Sequence, residues 1–328
     1  MKKLFTLNLQ LFAEPNTNVT TDSGLSVENK TYYDMRLIDE ATPNLIHSQF
    51  AQKRPIPRNG GKKIEFRKYA SLPKATTPLT EGVTPDGKKL SVSAIEAEVE
   101  QYGDYIVYSD VLDLTTIDNN VVEATKILGN QAGLTIDTIH RNVLHSGTNV
   151  FYAPKKDGTE VTSRDGLDGT SVLTVDTIKR AVAFLKKNNA PKIDGSYVGI
   201  VHPFVSYDLM SDEAWIDAHK YATPDNIYEG EIGKIAGVRF VESSEAKVYA
   251  GGVFGTLIMG ANAYGVTEID GGGLRTIIKQ LGSSGVADAL DQRASVGWKA
   301  MTTAEILVPQ YLIRIESKSA LSAKAEEN

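Results

Sequence analysis

Apolar and polar residues alternate at the start of the chain, where Phe5, Leu7, Leu9 and Leu11 are separated by Thr6, Asn8 and Gln10. That is the period of a one-sided strand. With Phe12 these residues predict an extended arm that docks on a neighbouring molecule. Lys2 and Lys3 ahead of them imitate a secretory signal, but the polar residues break the continuous apolar run a signal needs. Residues 14–30 are rich in Asn, Thr, Ser, Asp and Gly, with few apolar anchors, and read as a tether. A short helix is predicted over 32–41, stopping ahead of Pro43 because the residue before proline avoids helix.

Beyond the turn signal Arg58-Asn59-Gly60-Gly61, Ile64, Phe66 and Lys68 alternate with Glu65, Arg67 and Tyr69 as a strand would. Three prolines (Pro73, Pro78, Pro85) and two glycines (Gly82, Gly87) exclude regular structure throughout 71–89. The strand pattern resumes at Leu90, Val92 and Ala94, then at Ala97, Val99 and Gln101, and continues to Tyr108. Two long strands with such a tip predict an arm projecting from the body, because a connection this long is unusual inside a compact domain. Glu96, Glu98 and Glu100 fall on one side of the second strand, where like charges repel modestly. They predict a solvated face or one that meets a basic partner. Arg58, Lys62, Lys63, Arg67 and Lys68 are the best candidates for contact with an acidic surface, ordinary surface charge being the plainer reading. Glu81, Lys88 and Lys89 lie near the tip.

The strongest helical signal covers 119–145. Val121, Thr125, Leu128, Ala132, Ile136, Ile139 and Val143 recur at three- and four-residue steps. This predicts a helix about 40 Å long. Gly129 and Gly133 inside it each cost about 1 kcal/mol against alanine. One turn apart on one face, they predict the close approach of another backbone. Further along, 155–158 reads as a hairpin tip. A helix from 174 or 176 to 189 turns Ile178, Ala181, Val182 and Leu185 inward. Strands are predicted at 197–201, 253–259, 274–279, 294–301 and 304–315, a helical stretch at 206–219, and a turn or short helix feeding a strand over 230–242. The polar tail 318–328 reads as frayed.

Composition narrows the chemistry. With 328 residues and 41% apolar content, the chain can build one large or two modest cores. A formal charge of −6 argues against a protein that grips nucleic acid over a broad surface. It remains compatible with lining a DNA-filled cavity. The absence of cysteine excludes disulfides, thiolate metal sites and a cysteine nucleophile, and suits a reducing cytoplasm. No run is long and apolar enough to span a bilayer. His140 and His145 are five apart, whereas two metal-binding histidines on one helix want a four-residue step. They are expected as helix-surface residues, and His47, His202 and His219 lack a nearby carboxylate pair at ligand spacing. The glycines at 251–255 and 271–273 match neither a phosphate-cradling loop nor a dinucleotide fingerprint. No serine sits in a nucleophile elbow. No cofactor, metal or enzymatic activity is expected.

The order of parts is an arm, a two-stranded projecting loop, one long helix, a mixed α/β region and returning terminal strands. It resembles the tailed-phage major capsid fold named after the Hong Kong ninety-seven phage. Phe66-Arg67-Lys68-Tyr69, Leu79-Thr80-Glu81-Gly82-Val83-Thr84-Pro85, and Gln101-Tyr102-Gly103-Asp104-Tyr105 with Ser109-Asp110 look like the major capsid family typified by phage N-four. So do Gly233-Lys234-Ile235-Ala236-Gly237-Val238-Arg239-Phe240-Val241-Glu242 and Asp288-Ala289-Leu290-Asp291-Gln292 with Val296-Gly297-Trp298-Lys299. The resemblance spans roughly residues 30–316.

It implies an α+β fold in five parts: N-terminal arm and short helix (1–57), extended loop (58–110), peripheral domain with a spine helix (111–190), axial domain (191–293) and returning C-terminal strands with the tail (294–328). It further implies a structural protein of the virion that self-assembles, through hexamers and pentamers, into an icosahedral shell around double-stranded DNA. Assembly is expected in the bacterial host cytoplasm, with a scaffolding protein and a portal protein as partners and a decoration protein left open. DNA would be faced without sequence-specific binding, and no membrane is involved. Only about thirty residues precede the first helix, too few for a built-in scaffold domain, which is why a separate scaffolding protein is implied. Some relatives crosslink a lysine to an asparagine; no crosslink is expected at Lys88 or Lys89. The alternatives are an encapsulin-like compartment shell and an α/β enzyme with a polar pocket.

Overall fold

The computed structural model describes residues 37, 41, 45–55, 62–69, 72, 74–79, 81–84, 86–115, 120–220, 233–267, 274–283 and 288–328. The expected arm residues Phe5, Leu7, Leu9, Leu11 and Phe12 lie outside them, as do Arg58, the glycines at 271–273 and most of the helix expected at 32–41. Within that last span, Leu37 and Ala41 are helical and buried.

In chain order, β1 (Gln52–Arg54), β2 (Lys63–Tyr69), β3 (Val92–Glu98) and β4 (Glu100–Ser109) precede a short helix (Asp110–Thr115) and the spine helix (Asn120–Leu144). Next come β5 (Val150–Tyr152), a helix at Val175–Lys187, β6 (Tyr197–Val201), and helices at Pro203–Met210 and Glu213–Lys220. The remainder is strand: β7 (Lys234–Ile235), β8 (Val238–Glu242), β9 (Val248–Tyr249), β10 (Val253–Met259), β11 (Tyr264–Thr267) and β12 (Leu274–Lys279). β13 (Arg293–Thr302), β14 (Ala304–Ile306) and β15 (Leu312–Ser317) complete it.

The largest sheet runs in the order β5-β15-β10-β6-β8-β7, with β9 on β10. Its central strand β10 is buried at every position, the pattern of a strand covered on both faces. Phe254 and Ile258 pack toward Ile178, Val182 and Leu185 of the helix Val175–Lys187. Leu257 and Met259, of opposite parity, pack toward Leu144 at the end of the spine helix. Each such side chain contributes about 1.5–3 kcal/mol by leaving water. Thr174 caps the helix Val175–Lys187 by accepting from the Thr177 amide, and Asp212 accepts from the Val175 amide at 2.8 Å.

A second sheet, β12-β13-β4, covers the other part of the spine helix. Val296, Trp298, Ala300 and Tyr108 meet Ala124, Leu128, Ala132 and Ile136 there. The spine helix thus joins two cores, its N-terminal turns on one and its last turn on the other.

One local expectation is narrowed to its turn alternative and three change. Over 233–242 the chain makes a tight β7–β8 hairpin, with Ala236 (φ 51) and Gly237 (φ 85) both left-handed, as a two-residue primed turn requires. The strand expected over 304–315 is split by a 3₁₀ turn at Pro309–Tyr311, since proline has no amide to offer a sheet ladder. The helical stretch expected at 206–219 is two helices, the first begun by Pro203 and capped by His202. The tail is docked, not frayed: Ser319 Oγ donates to the Phe204 carbonyl at 3.1 Å, and Ser322 Oγ donates to the Gly252 carbonyl at 2.9 Å. The Val248 amide donates to Asn328 Oδ1 at 2.9 Å.

Candidate functional site

The loop expected to project is an antiparallel hairpin in which Lys63 faces Glu98 and Tyr69 faces Val92. Ile64, Phe66 and Ala97 face inward, and with Val99, Leu307 and Val308 they form a small core that ties the hairpin to the body. The opposite face is charged and solvated. Lys63 Nζ donates to Glu96 Oε2 at 2.7 Å, and Arg67 Nε donates to Glu65 Oε1 at 3.1 Å. The first pair holds the lysine above and the glutamate below its ordinary range, chiefly through that hydrogen bond. Exposed pairs of this kind add little stability. Lys62, Glu81, Lys88, Lys89 and Glu98 are exposed, and Lys68 lies in β2. Glu100, exposed like Glu96 and Glu98, begins the next strand, β4, where it accepts from the Tyr102 hydroxyl at 2.5 Å. Toward the tip, Leu72, Leu79, Val83, Leu90 and Val92 are large apolar residues left open to solvent.

On the spine helix Leu128, Gly129, Ala132, Gly133 and Ile136 are buried, while Ile139 and Val143 are half-buried. Beyond Ile136 the buried positions continue as His140 and Leu144. Four-residue steps rotate a stripe around a helix of 3.6 residues per turn, which carries the last turns deeper into the body.

That drift overturns the surface reading of the histidines. His140 is fully buried, its Nδ1 2.7 Å from Ser48 Oγ and its Nε2 2.8 Å from Thr302 Oγ1. Thr267 Oγ1 donates to Thr302 Oγ1 at 3.0 Å. The Thr302 hydroxyl proton is then free for His140 Nε2, which places the imidazole proton on Nδ1, donating to Ser48. One turn earlier, the His47 amide donates to Asp137 Oδ1 and His47 Nδ1 lies against Asp137 Oδ2, both at 2.7 Å. The Tyr264 hydroxyl donates to the His47 carbonyl. Both side chains of the His47–Asp137 pair are buried, so His47 has a carboxylate partner that its sequence neighbours do not reveal. His145 is buried too, its Nδ1 3.0 Å from the Tyr249 hydroxyl.

Burial pushes His140 down to about 4, the Asp137 charge opposing and His47 reinforcing the shift. Burial likewise holds His145 well below its ordinary range. A histidine depressed in the folded state binds protons more weakly there than in the unfolded chain. Its contribution is therefore complete above about pH 6.5 and is lost as pH falls toward 4. For His140 the expected loss is about 3 kcal/mol. Urea midpoints taken from pH 7 to 4.5 should fall, and less steeply in His140→Asn; parallel curves for the two proteins would refute the assignment.

Another buried polar group sits inside the large sheet, on a strand flanked by β5 and β10. Glu316, on β15, accepts from Arg164 Nε and Nη2 at 2.7 Å each, and Arg314 Nε lies 2.9 Å from Glu316 Oε1. The Arg164 guanidinium lies over the Tyr249 ring at 3.6 Å from its centroid. Arg314 and Glu316 alternate with Ile313 and Ile315 along β15, so the alternation carried a signal for this cluster. Its partner Arg164 is far along the chain and could not be read from it.

Among the described residues there is no group of side chains arranged to hold a metal ion, and no helix long and apolar enough to cross a membrane. No curated protein sequence matches the chain. A family model described as phage capsid protein matches residues 108–296. Among solved structures, the capsid of Cyanophage Pam1 aligns with a TM-score of 0.64 at 13% identity, covering 86% of this chain and 92% of that one. The capsid of Cyanophage P-SCSP1u gives 0.63 at 16% identity, covering 82% and 87%. The head structure of Helicobacter pylori bacteriophage KHP40 gives 0.60 at 13% identity, covering 80% and 87%. At such identities the likeness establishes the fold, the α+β Hong Kong ninety-seven-like subunit. With the family match spanning more than half of its length, the chain belongs to the phage capsid protein family and is a structural, major capsid protein of the virion shell.

Proposed function

We propose that the β2–β3 hairpin and the N-terminal arm are the parts by which neighbouring copies hold one another in the icosahedral shell. The observation that carries this reading is the hairpin tip, whose large apolar side chains lie open to solvent in the single chain. Water disfavours such a surface, and a neighbouring copy would cover it. Arg58, Lys62, Lys63, Arg67, Lys68, Glu81, Lys88, Lys89, Glu96, Glu98 and Glu100 would rim that contact. Phe5, Leu7, Leu9, Leu11 and Phe12 would supply the arm's apolar face.

In this reading heterologous contacts close around local symmetry axes into hexamers and pentamers. Residues 1–57 form the arm and its root, 58–110 the loop, 111–190 the peripheral part, 191–293 the axial part at the capsomer centre, and 294–328 the return. Leu128, Gly129, Ala132, Gly133, Ile136, Ile139 and Val143 stiffen the peripheral part. A separate scaffolding protein and a portal protein would act in assembly in the host cytoplasm, with room for a decoration protein, and double-stranded DNA would fill the shell without sequence-specific contact. An encapsulin-like compartment would use the same fold, but the family match disfavours it.

Negative-stain electron microscopy of the purified chain tests the reading. Icosahedral particles or capsomers are expected, and a featureless small oligomer would sink it. Deleting residues 2–13 is expected to make particles break at lower denaturant while the subunit's own thermal unfolding stays unchanged. Truncated protein that forms shells of full strength would remove the arm from the account.

A further inference from the structure

The β12-β13-β4 sheet has two unlike faces. The side toward the spine helix is mostly apolar, packed against the helix, with Asp104 at its margin bonded to Gln131. The opposite side carries Arg275 and Lys279 on β12 and Arg293 and Lys299 on β13. None of the residues that share this side is a carboxylate, in a chain whose formal charge is −6. Arg275, Lys279 and Lys299 make no ion pair among the described residues, whereas Arg293 pairs with Asp288 at 4.0 Å.

Strand register turns these residues into a trough. Ile277, Gly297 and Tyr105 lie side by side across the three strands, as do Arg275, Lys299 and Gly103. The two glycines keep the floor low. A Cβ at Gly297 would stand 2.7 Å from Tyr105 Cβ, and one at Gly103 would stand 2.6 Å from the Trp298 carbonyl oxygen. The resulting open cleft measures about 640 Å³. Tyr105 is 68% exposed on one wall and Ile277 is 45% exposed on the other. Asp104 touches the rim but is already engaged, accepting from Gln131 Nε2 at 2.7 Å and from the Tyr105 amide at 2.8 Å.

We propose that this trough is a docking site for an extended acidic segment of a second, different protein. Its carboxylates would meet Arg275, Lys279 and Lys299, and an apolar side chain between them would lie between Ile277 and Tyr105. The outer strands stand about 10 Å apart, a width that admits one extended polypeptide and not a duplex. The apolar walls reward a side chain, which a phosphate backbone does not offer. A second copy's hairpin is the poorer match, because its exposed face carries Lys63 and Arg67 beside Glu65 and Glu96, and the basic trough would repel those cations. The acidic partner is independent of the shell reading: particle formation would be unaffected by failure of this binding.

The test uses the full chain and a fluorescent peptide alternating glutamate with valine, read by anisotropy, beside a lysine-for-glutamate control and single- and double-stranded DNA. Binding of the acidic peptide is expected to weaken with rising salt, and at least about tenfold in Arg275→Glu/Lys279→Glu/Lys299→Glu. Tyr105→Ala should weaken it without altering the salt dependence. The triple glutamine variant, checked for an unchanged thermal transition, covers the case in which charge reversal disturbs the fold. Absence of peptide binding, binding indifferent to these variants, or equal or tighter binding of DNA would each overturn the proposal.

Discussion

Replacing Glu316 by alanine is expected to cost about 3–5 kcal/mol of subunit stability. The side chain is 0% exposed and is the shared acceptor for two arginines. Taking a carboxylate out of water is unfavourable, and here the cost is offset by two charge-assisted hydrogen bonds from Arg164 in fork geometry and by the Arg314 charge. Alanine removes the anion and leaves both cations. Arg164, partly exposed, can turn toward water, whereas Arg314 is largely enclosed. Arg314 Nη1 still donates to the His145 and Gly147 carbonyls just beyond the spine helix, which softens the loss without replacing the charge. Glu316→Gln keeps the shape and one acceptor and should lose roughly half as much. Denaturant midpoints at neutral pH measure both; a change below about 1 kcal/mol for the alanine variant would show that the cluster is not energetically coupled.

Phe66→Ala should have a comparable cost, about 3–5 kcal/mol, felt in a different place. Phe66 is 1% exposed, and its ring occupies the space a side chain would take at Gly265: a Cβ there would lie 2.7 Å from Phe66 Cδ1. It is the largest member of the small core that seats the hairpin, which contains six buried residues among those described. A small satellite core opens on its own before the large sheet does. Hydrogen exchange should therefore show β2 and β3 losing protection while β6, β10 and β15 keep theirs. Gly265→Ala attacks the same contact from the other side and should give the same pattern. Unchanged protection of the hairpin in both variants would mean that it is seated by something else.

Periodicity made much of this fold legible. The apolar stripe placed the spine helix within a residue of its ends, and the run from Val253 to Met259 is the central strand as read. The hairpin was visible because Ile64 and Phe66 alternate with charges and the prolines between the strands exclude anything regular. The buried polar groups were not legible, for a physical reason: their partners are far apart in the chain. His47 and Asp137 are 90 residues apart, and Arg164 and Glu316 are 152 apart. A local pattern can show that a charged residue falls on an inward position, as His140 does four residues after Ile136, but not what will satisfy it. The docked tail escaped for a similar reason, since polar residues read as solvated until a backbone such as Val248 is there to bind them.

The attachment of Leu37, Ala41 and residues 45–54 to the body also has a mechanical consequence. Leu37 and Ala41 pack with Ala124 and Leu128, and His47 and Ser48 are fastened to Asp137 and His140. Just beyond, β1 lies parallel to β11. Tension applied ahead of Leu37 would thus be delivered to the spine helix at points spread over about 24 Å of its length. The β1–β11 ladder behind them is loaded in shear, all its bonds sharing the force, where a hairpin would unzip one bond at a time. Tension between subunits would therefore reach the body of the shell as strain along a stiff rod before any strand could peel away.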